Sequence, residues 1–470
     1  MNLNQEIDKL RDEIISAVQS CIKIKSVKDD EHAMPGAPFG QGIKDCLEWT
    51  LDLGENLGFT VKNIDGYAGQ IEMGSGELLG ILGHLDVVPE GDGWSVPPYS
   101  GKIVDGKIFG RGALDDKGPT LAALFAMKAI KNSGLPLNKK VRLIIGTDEE
   151  SGWADMDYYK QKEEIPVMGF APDAEFPLIH AEKGILHLEL SKNLSEFSHL
   201  VRIQGGQRAN VVPDLCRITV KGFTEDELDA QLHAFHFPEG VSGKLEASTE
   251  NSDTGLTVVI QGMGAHGSLP QNGKNAVIYA LSFLKSLPLS DDELTLVEWL
   301  LQNPGTGFHG EGLGVTLSDE PSGKLSLNIG IMDLFAQHIR FVIDIRYPVT
   351  FKKEDILTPI EKRATGAGFS IKICSHQPAH HVPKDSLLVK SLLKAYSDIT
   401  GLEAYAFAIG GGTYAKVLPQ GVAFGPVLPG EPDVIHCPDE YITIENLILA
   451  TKVYAQAIIN LAHDSSDNNF

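Results

Sequence analysis

Histidine and carboxylate side chains follow several apolar runs in this chain. His84 and Asp86 come after one such run, and Glu149 and Glu150 come after another. Residues two apart on a strand point the same way, so Asp86 can orient the His84 ring through its second nitrogen. Consecutive carboxylates diverge, so one of Glu149 and Glu150 can bind a metal ion while the other faces a substrate as a base.

Three further segments carry the same types of side chain. Asp115 and Asp116 lie in a glycine-rich stretch before a predicted helix, Asp173 follows another apolar run, and His436 precedes the last predicted helix. Two histidines and several carboxylates at the ends of elements form a ligand set suited to zinc or manganese.

Each of these segments also has an ordinary structural explanation. A lone His-x-Asp can be structural or exposed. Adjacent aspartates before a helix can cap its N-terminus, where their negative charge interacts favourably with the helix dipole. Residues 148–150 can form a solvated acidic loop. The glycines around Asp115, however, allow a tight backbone close to a ligand. The metal-site hypothesis therefore depends on the five segments together.

The elements around these segments predict an α/β catalytic domain with a mixed sheet flanked by helices. Apolar periodicity and helix-end signals predict helices over 5–22, from Pro119 to Gly134, over 387–400 and over about 442–462, and buried strands over 78–82 and 141–145. Strands that alternate with helices are typical of this class. In open α/β sheets, ligands bind beyond the carboxyl ends of the strands, where the polar segments lie.

From about residue 186 the pattern changes to one typical of strands with one solvent-exposed face. The alternation occurs over 186–190, 218–220, 258–260 and 341–345. We therefore predict that 186–382 form an inserted, enlarged α+β lid domain, and that 1–185 and 383–470 together form the catalytic domain. The polar tail 465–470 is expected to be disordered.

Composition excludes several classes of partner. The chain has 63 acidic and 40 basic residues and a net charge of −23, so its surface repels phosphate backbones and anionic lipids, and neither nucleic acid nor membrane is expected as a partner. No run approaches the roughly 18 apolar residues that a membrane span needs. Scattered cysteines without a CxxC spacing, and an N-terminus without an apolar signal core, predict a reducing cytoplasm.

The five segments, in this order and with this spacing, resemble those of the co-catalytic di-zinc exopeptidases. That family includes carboxypeptidase G, succinyl-diaminopimelate desuccinylase and carnosine-type dipeptidases. The resemblance is greatest to the bacterial PepV-type dipeptidases. It covers almost the whole chain, including segments 146–151, 171–175 and 409–414.

The resemblance implies two Zn²⁺ ions per chain, for which Mn²⁺ or Co²⁺ could substitute. In that family pattern Asp115 bridges the two ions. His84 and Asp173 complete one site, and Glu150 and His436 complete the other.

The resemblance also implies roles for the neighbouring residues. Asp86 would support His84, and Glu149 would be the general base that takes a proton from the attacking water and returns it to the leaving amine. The peptide bond between Asp115 and Asp116 would be cis.

Three residues of the predicted lid match residues that contact substrate in the family. His266 takes the place of the histidine that stabilises the oxyanion. Asn210 and Arg346 match the residues that hold the C-terminal carboxylate of the substrate. Without the resemblance, a turn histidine, a strand-end amide and a surface salt bridge would be the favoured explanations.

The glycine-rich segment with Gly411, Gly412 and Thr413 has two possible interpretations. A phosphate-binding loop is poorly supported, because the segment lacks the Lys-Ser/Thr pair of a P-loop and the Rossmann spacing. The resemblance implies instead a tight loop that offers backbone N–H groups to a substrate carboxylate.

The predicted function is metal-dependent hydrolysis of the amide bond of small peptides, namely dipeptides with a free N-terminus. The long insert resembles the arrangement in which an enlarged lid supplies the oxyanion histidine within one chain, which implies a monomer. One alternative is an N-acyl amino acid amidohydrolase of the desuccinylase or deacetylase type, which shares the bond and the mechanism. Another is a non-catalytic metal-binding homologue, against which the intact Glu149 and ligand positions argue.

Overall fold

The computed structural model describes residues 3–246 and 255–462, so the predicted disorder of 465–470 lies outside the described residues. The α-helices are α1 (Leu3–Lys9), α2 (Arg11–Ile22), α3 (Gln41–Asn56), α4 (Lys117–Ser133), α5 (Ala154–Lys162), α6 (Glu225–Ala234), α7 (Ala276–Leu284), α8 (Asp291–Leu300), α9 (Lys353–Gly366), α10 (Leu387–Thr400) and α11 (Ile444–Ala462). Among the described helices, none is long and apolar enough to cross a membrane.

The strands are short in most of the chain and longer in its middle part. They are β1 (Thr60–Ile64), β2 (Ala68–Met73), β3 (Glu77–His84), β4 (Lys102–Val104), β5 (Lys107–Phe109), β6 (Lys139–Gly146), β7 (Met168–Ala171), β8 (Ala174–Glu175), β9 (Ile179–Glu182), β10 (Gly184–Asn193), β11 (Leu200–Gly205), β12 (Leu215–Val220), β13 (Ser242–Leu245), β14 (Leu256–Gln261), β15 (Ser318–Asp319), β16 (Gly323–Lys324), β17 (Ser326–Phe335), β18 (His338–Tyr347), β19 (Ser370–Gln377), β20 (His380–His381), β21 (Phe407–Ile409), β22 (Gln420–Ala423), β23 (Pro426–Val427) and β24 (Tyr441–Thr443).

The chain divides into two compact units. The first comprises Met1–His180, His381–Phe407 and Gly412–Phe470, and the second comprises Ala181–His380 and Ala408–Gly411. The predicted insert, 186–382, does not include the last of these segments. That segment belongs with the second unit because the Lys183 N–H donates to the Ile409 carbonyl (3.0 Å) and Arg346 Nη1 donates to the Gly410 carbonyl (2.8 Å).

The first unit is built on a mixed sheet with the strand order β1-β2-β6-β3-β7-β22-β9-β20. Its centre is parallel, because β3 pairs in parallel with both β6 and β7, and β7 with β22, whereas β1 and β2 are antiparallel. The apolar runs predicted as strands are the buried β3 and β6, which are covered on both faces as parallel strands usually are.

Helices α4 and α11 pack against each other in the core of the first unit. The α4 helix ends as predicted, at Gly134 in the left-handed conformation (φ +69°), where glycine avoids the penalty of a Cβ atom. The single helix predicted over 5–22 is instead two helices, α1 and α2. They are separated at Leu10, whose N–H donates to the Ile7 carbonyl three residues back (3.0 Å).

The second unit is built on an eight-stranded antiparallel sheet with the order β13-β14-β12-β11-β17-β18-β10-β19. In β10 the predicted alternation is confirmed, since the leucines at 186, 188 and 190 are buried and the residues between them are partly exposed. In β18 it is wrong, because residues 341–345 are buried on both faces. This strand is central, paired with β17 and β10, and its polar Asp344 is paired with Arg346.

A fully buried carboxylate, Glu293, connects α8 to β11 in the second unit. One oxygen accepts from the backbone N–H groups of His199 (2.6 Å) and Leu200 (2.7 Å), and the other accepts from the Ser290 hydroxyl (2.7 Å) in a capping box. Burial by itself would raise the pKa of Glu293, but the hydrogen bonds from Leu200, Ser290 and His199 outweigh it and lower this pKa to about 2.

We predict that Glu293→Gln destabilises the second unit by about 1.5–3 kcal/mol near neutral pH, because an amide cannot replace a carboxylate that accepts this many hydrogen bonds. The folded pKa of Glu293 is depressed, so its contribution is present above the unfolded pKa of about 4.3 and is lost as the pH falls toward 2. Urea unfolding should therefore show the difference from wild type shrinking between about pH 5 and pH 3.

Glu298→Gln is the matched control, since the Glu298 carboxylate forms an exposed pair with Lys285 (3.0 Å). This change should alter the free energy of unfolding by less than about 0.5 kcal/mol throughout this pH range. Equal losses for the two variants would show that the Glu293 network does not stabilise the unit.

Candidate metal centre

The carboxyl ends of three neighbouring parallel strands meet at one edge of the first sheet. His84 is the last residue of β3 and lies opposite Gly146, the last residue of β6. Glu149 and Glu150 follow β6, and Asp173 follows β7. The strand order β6-β3-β7 therefore gathers these side chains, because parallel neighbours end at the same edge.

The carboxylate of Asp115 lies between two histidines. Its Oδ1 is 3.0 Å from Nε2 of His84, and its Oδ2 is 3.0 Å from Nε2 of His436. His436 Nε2 is also 2.9 Å from Glu150 Oε1, and His84 Nε2 is 3.6 Å from Asp173 Oδ2. The structure thus brings together all five predicted metal ligands.

Two groups of donor atoms can be distinguished among the described residues. Asp115, Glu150 and His436 form one group, with donor atoms within 4.8 Å of one another. The other consists of His84, Asp173 and the residue predicted as the base, Glu149. The position of Glu149 is consistent with either ligation or general-base catalysis.

The carboxylate of Asp86 lies between His84 and the segment that carries Glu149 and Glu150. The His84 ring donates from Nδ1 to the main-chain carbonyl of Asp86 (2.9 Å), whereas the Asp86 carboxylate is 3.5 Å from that nitrogen. The carboxylate also accepts from the backbone N–H groups of Glu149 (3.1 Å) and Glu150 (3.0 Å). The Asp86 carboxylate and the His84 ring are within ion-pair distance, and the role of Asp86 in supporting His84 stays a prediction.

The donor set fits a divalent metal ion. A carbonyl oxygen can only accept, so the Asp86 carbonyl requires a proton of His84 on Nδ1, which makes Nε2 the nitrogen available to a metal ion. This Nε2 atom is buried and makes no hydrogen bond to any described residue, although two carboxylates lie close to it. A histidine nitrogen and carboxylate oxygens directed at one point are the ligands that zinc and manganese bind.

The centre contains more carboxylates than its two histidines can neutralise. Burial raises the pKa of Glu149 well above its ordinary value, and burial together with the nearby Asp115 charge raises the pKa of Glu150 to about 7 and of Asp173 to about 6. For Asp115, burial acts in the same direction, but His436 and His84 outweigh it and lower its pKa. A bound cation would offset the repulsion among these groups.

Asp116 positions His84 and was not assigned a role from the sequence. Its Oδ2 accepts from the His84 N–H (3.1 Å) and from the Thr120 hydroxyl (2.8 Å). Gly83 permits this approach, because a Cβ atom there would lie 2.0 Å from Thr120 Oγ1. The peptide bond between Asp115 and Asp116 is cis, as the family resemblance implies.

A buried aspartate holds the segment that leads to Glu149. Asp155 Oδ2 accepts from the backbone N–H groups of Thr147 (2.7 Å) and Asp148 (3.1 Å) and from the Tyr414 hydroxyl. No motif in the sequence singles out Asp155. The only signal for Tyr414 is its place directly after the glycine-rich segment.

The predicted substrate residues Asn210 and His266 lie on adjacent segments of the second unit. The Gly267 N–H donates to the Asn210 carbonyl (2.7 Å), and Val211 pairs with His266 in a short β-bridge. His266 is exposed, and its Nδ1 lies 2.6 Å from the Ser268 hydroxyl.

Arg346 is buried in the second unit, so it is not part of a surface salt bridge. It donates from Nε (2.7 Å) and Nη2 (2.9 Å) to the Asp344 carboxylate, which also lies 3.3 Å from His187 Nε2. Nη1 donates to the Gly410 carbonyl (2.8 Å). The guanidinium orientation is therefore determined by two different segments.

The three remaining predicted substrate residues are divided between the units. Gly411 belongs to the second unit, and Gly412 and Thr413 belong to the first. Both glycines are partly exposed, whereas Thr413 is buried and its hydroxyl accepts from the Ala415 N–H (3.1 Å).

Comparison with known proteins gives a match over most of the chain. Residues 80–460 match the model of "Peptidase family M20/M25/M40". The Bacillus subtilis (strain 168) protein named "Putative dipeptidase YtjP" is 42% identical over an alignment of 470 residues. The alignment covers 98% of this chain and 100% of the relative.

Two solved structures share the fold over nearly their whole length. Human carnosine dipeptidase 1 has a TM-score of 0.55 at 17% identity, covering 98% of this chain and 99% of that one. The di-peptidase Dug1p from Saccharomyces cerevisiae has a TM-score of 0.59 at 15% identity, covering 98% of each chain. These similarities confirm the predicted fold class.

We predict that the protein freed of metal by a chelator gains stability when Zn²⁺ or Mn²⁺ is restored. An ion that binds only the folded state adds about 2.7 kcal/mol when its free concentration is 100 times its Kd. Thermal unfolding at a series of metal concentrations measures this gain. Asp115→Asn should abolish most of it, and Asp105→Asn, at an exposed position, should leave it unchanged. A gain that survives in Asp115→Asn would place the metal elsewhere.

Proposed function

The chain belongs to peptidase family M20/M25/M40 and is a metallopeptidase, and we propose that it hydrolyses the amide bond of dipeptides with a free N-terminus. The observation that carries this proposal is the Asp115 carboxylate, whose two oxygens each lie 3.0 Å from a histidine nitrogen, one of His84 and one of His436. The name of the Bacillus subtilis relative, which aligns over nearly the whole chain, supports dipeptides as the substrate class.

We propose that two Zn²⁺ ions are the cofactors, with Mn²⁺ or Co²⁺ as substitutes. His84 and Asp173 would hold one ion, Glu150 and His436 the other, and Asp115 both. When bound, a metal pair lowers the pKa of a water molecule and polarises the scissile carbonyl.

The remaining chemistry is assigned to side chains of this protein. Glu149 takes a proton from the attacking water and returns it to the leaving amine, a role supported by its place beside His84 and Asp173. Asp86 holds the backbone that carries Glu149, through the N–H group of that residue. His266 donates a hydrogen bond to the oxyanion.

The substrate carboxylate is assigned to a second set of residues. Arg346 and Asn210 bind it, together with backbone N–H groups of Gly411, Gly412 and Thr413. This assignment is supported by the fixed guanidinium of Arg346, since a pre-oriented donor loses less freedom on binding.

We also propose that the protein is a cytoplasmic monomer. The cytoplasmic location is supported by five free cysteines, of which Cys21 and Cys46 have sulfur atoms only 3.6 Å apart without being bonded. The monomeric state is supported by the presence of the predicted oxyanion histidine in this chain's own long insert.

We predict that the protein with its metal restored cleaves free dipeptides, including β-alanyl-histidine, and not their N-acetylated forms. Chelation should abolish cleavage, and added Zn²⁺ or Mn²⁺ should restore it. Release of the free amino acid from a small panel of substrates measures this. Cleavage of the acetylated forms alone would identify an N-acyl amino acid amidohydrolase.

We predict that Glu149→Ala lowers kcat by about 10²–10⁴-fold while two ions stay bound, because general acid–base catalysis contributes that much. Metal content after gel filtration is measured beside the rate. Loss of one ion from Glu149→Ala would make Glu149 a ligand, and an unchanged kcat would exclude it as the base.

We predict that Arg346→Lys raises KM for dipeptides by about 10-fold or more, because a lysine cannot reproduce the directed hydrogen bonds of the guanidinium. Cleavage of a dipeptide with a C-terminal amide should be affected much less. Arg340→Lys is the control on the same strand, where Arg340 makes a partly exposed pair with Glu189 (3.1 Å). Equal effects on the acid and the amide would remove Arg346 from the carboxylate site.

A further inference from the structure

A buried ion pair adjoins the metal centre without containing any of its ligands. Glu440 is completely buried, and its Oε2 accepts from Arg111 Nη1 (2.7 Å). Its Oε1 accepts from the backbone N–H groups of Leu114 (2.9 Å) and Asp115 (3.2 Å). One carboxylate therefore determines the course of the backbone that carries the central ligand.

The same residue anchors the segment that carries His436. Glu440 is four residues beyond His436, and its carbonyl accepts from the Gly110 N–H (2.9 Å). Asp439, beside it, accepts from the Ser95 N–H (2.8 Å). Main-chain and side-chain hydrogen bonds thus hold the His436 segment and the Asp115 segment to each other.

Arg111 extends this anchor to a third segment. Its Nη2 donates to the Glu90 carbonyl (3.3 Å), its backbone N–H donates to the Pro98 carbonyl (2.8 Å), and its guanidinium lies 5.3 Å from the centre of the Trp94 ring. The arginine therefore has its own fixed position, from which it orients the Glu440 carboxylate.

A buried ion pair is weak evidence for stability, because the desolvation of both charges offsets their attraction. This pair acts by fixing the positions of the backbone segments that it joins. Asp115 faces both histidines at 3.0 Å only while the backbone at 114–115 and the segment at 436 keep their spacing. Outer hydrogen bonds of this kind commonly tune metal affinity by orienting the ligands.

We propose that Glu440 and Arg111 are positioning residues of the metal centre. They set the Asp115 carboxylate against His436 and thereby determine the affinity for the ion held by Asp115, Glu150 and His436. The inference rests on the ligands assigned in the proposed function, and neither residue is given a contact with substrate.

The test is the affinity of Glu440→Gln for Zn²⁺, measured by competition with a chromogenic chelator. We expect one of the two ions to bind about 10–100-fold more weakly, which is the usual effect of losing an outer hydrogen-bond partner, and the other to change much less. In a His436→Gln background, where that ion has already lost a ligand, Glu440→Gln should cause little further loss. A general loss of stability would not produce this dependence on His436.

Glu72→Gln is the matched control. Glu72 also accepts from a buried arginine of the first unit, Arg142 (2.6 Å), but among the described residues its carboxylate contacts none of the metal-site segments. This variant should leave both zinc affinities within about twofold of wild type, as expected for sites without shared partners.

Arg111→Lys is a second, milder variant. It keeps the positive charge beside Glu440 but cannot also donate to the Glu90 carbonyl, so we expect a smaller loss of affinity for the same ion. Wild-type affinity for both ions in Glu440→Gln would overturn the proposal, as would an equal loss in Glu72→Gln. Dipeptide cleavage is not part of this readout, so failure of the proposed function and failure of this inference are distinguishable.

Discussion

The position of one carboxylate, that of Asp115 between His84 and His436, is the constraint on which the first unit depends. Each of its oxygens lies 3.0 Å from a different histidine nitrogen, and the two histidines come from distant parts of the chain. A carboxylate that serves two partners tolerates little rotation. The loop that carries it must therefore be held from both sides, which explains why so many polar groups around it are buried.

The acidic side chains near the centre fall into two classes by what they contact. Those of Asp86, Asp116, Asp155 and Glu440 accept hydrogen bonds from backbone N–H groups and so determine the course of the ligand-bearing segments. Those of Asp115, Glu149, Glu150 and Asp173 converge on the two histidines. A buried backbone N–H group without a partner is costly, and a loop has no neighbouring strand to accept its hydrogen bonds. The carboxylates of the first class serve as the acceptors instead.

The assignment of the predicted ligands came from the family resemblance, whereas the strands that precede them follow local rules. An apolar run that ends in a polar residue can be recognised in the sequence as a strand, and parallel strands bring their carboxyl ends together. The contacts of Asp86, Asp155 and Glu440 were not predictable, since each depends on partners from segments that only the tertiary fold brings close. The burial of both faces of β18 was missed for the same reason, because the strands on either side of it, β17 and β10, make it central in its sheet.

The electrostatics of the centre couple its geometry to its cofactor. Burial and the charge of Asp115 together raise the pKa of Glu150 to about 7 and that of Asp173 to about 6. Protons and a divalent cation therefore compete for the same oxygens. A cation neutralises several carboxylates at once without disturbing the backbone anchors, whereas a proton neutralises one and adds a donor that needs a new acceptor. Because the carboxylates outnumber the histidines, a bound metal ion neutralises the negative charge at this edge of the sheet better than protons do.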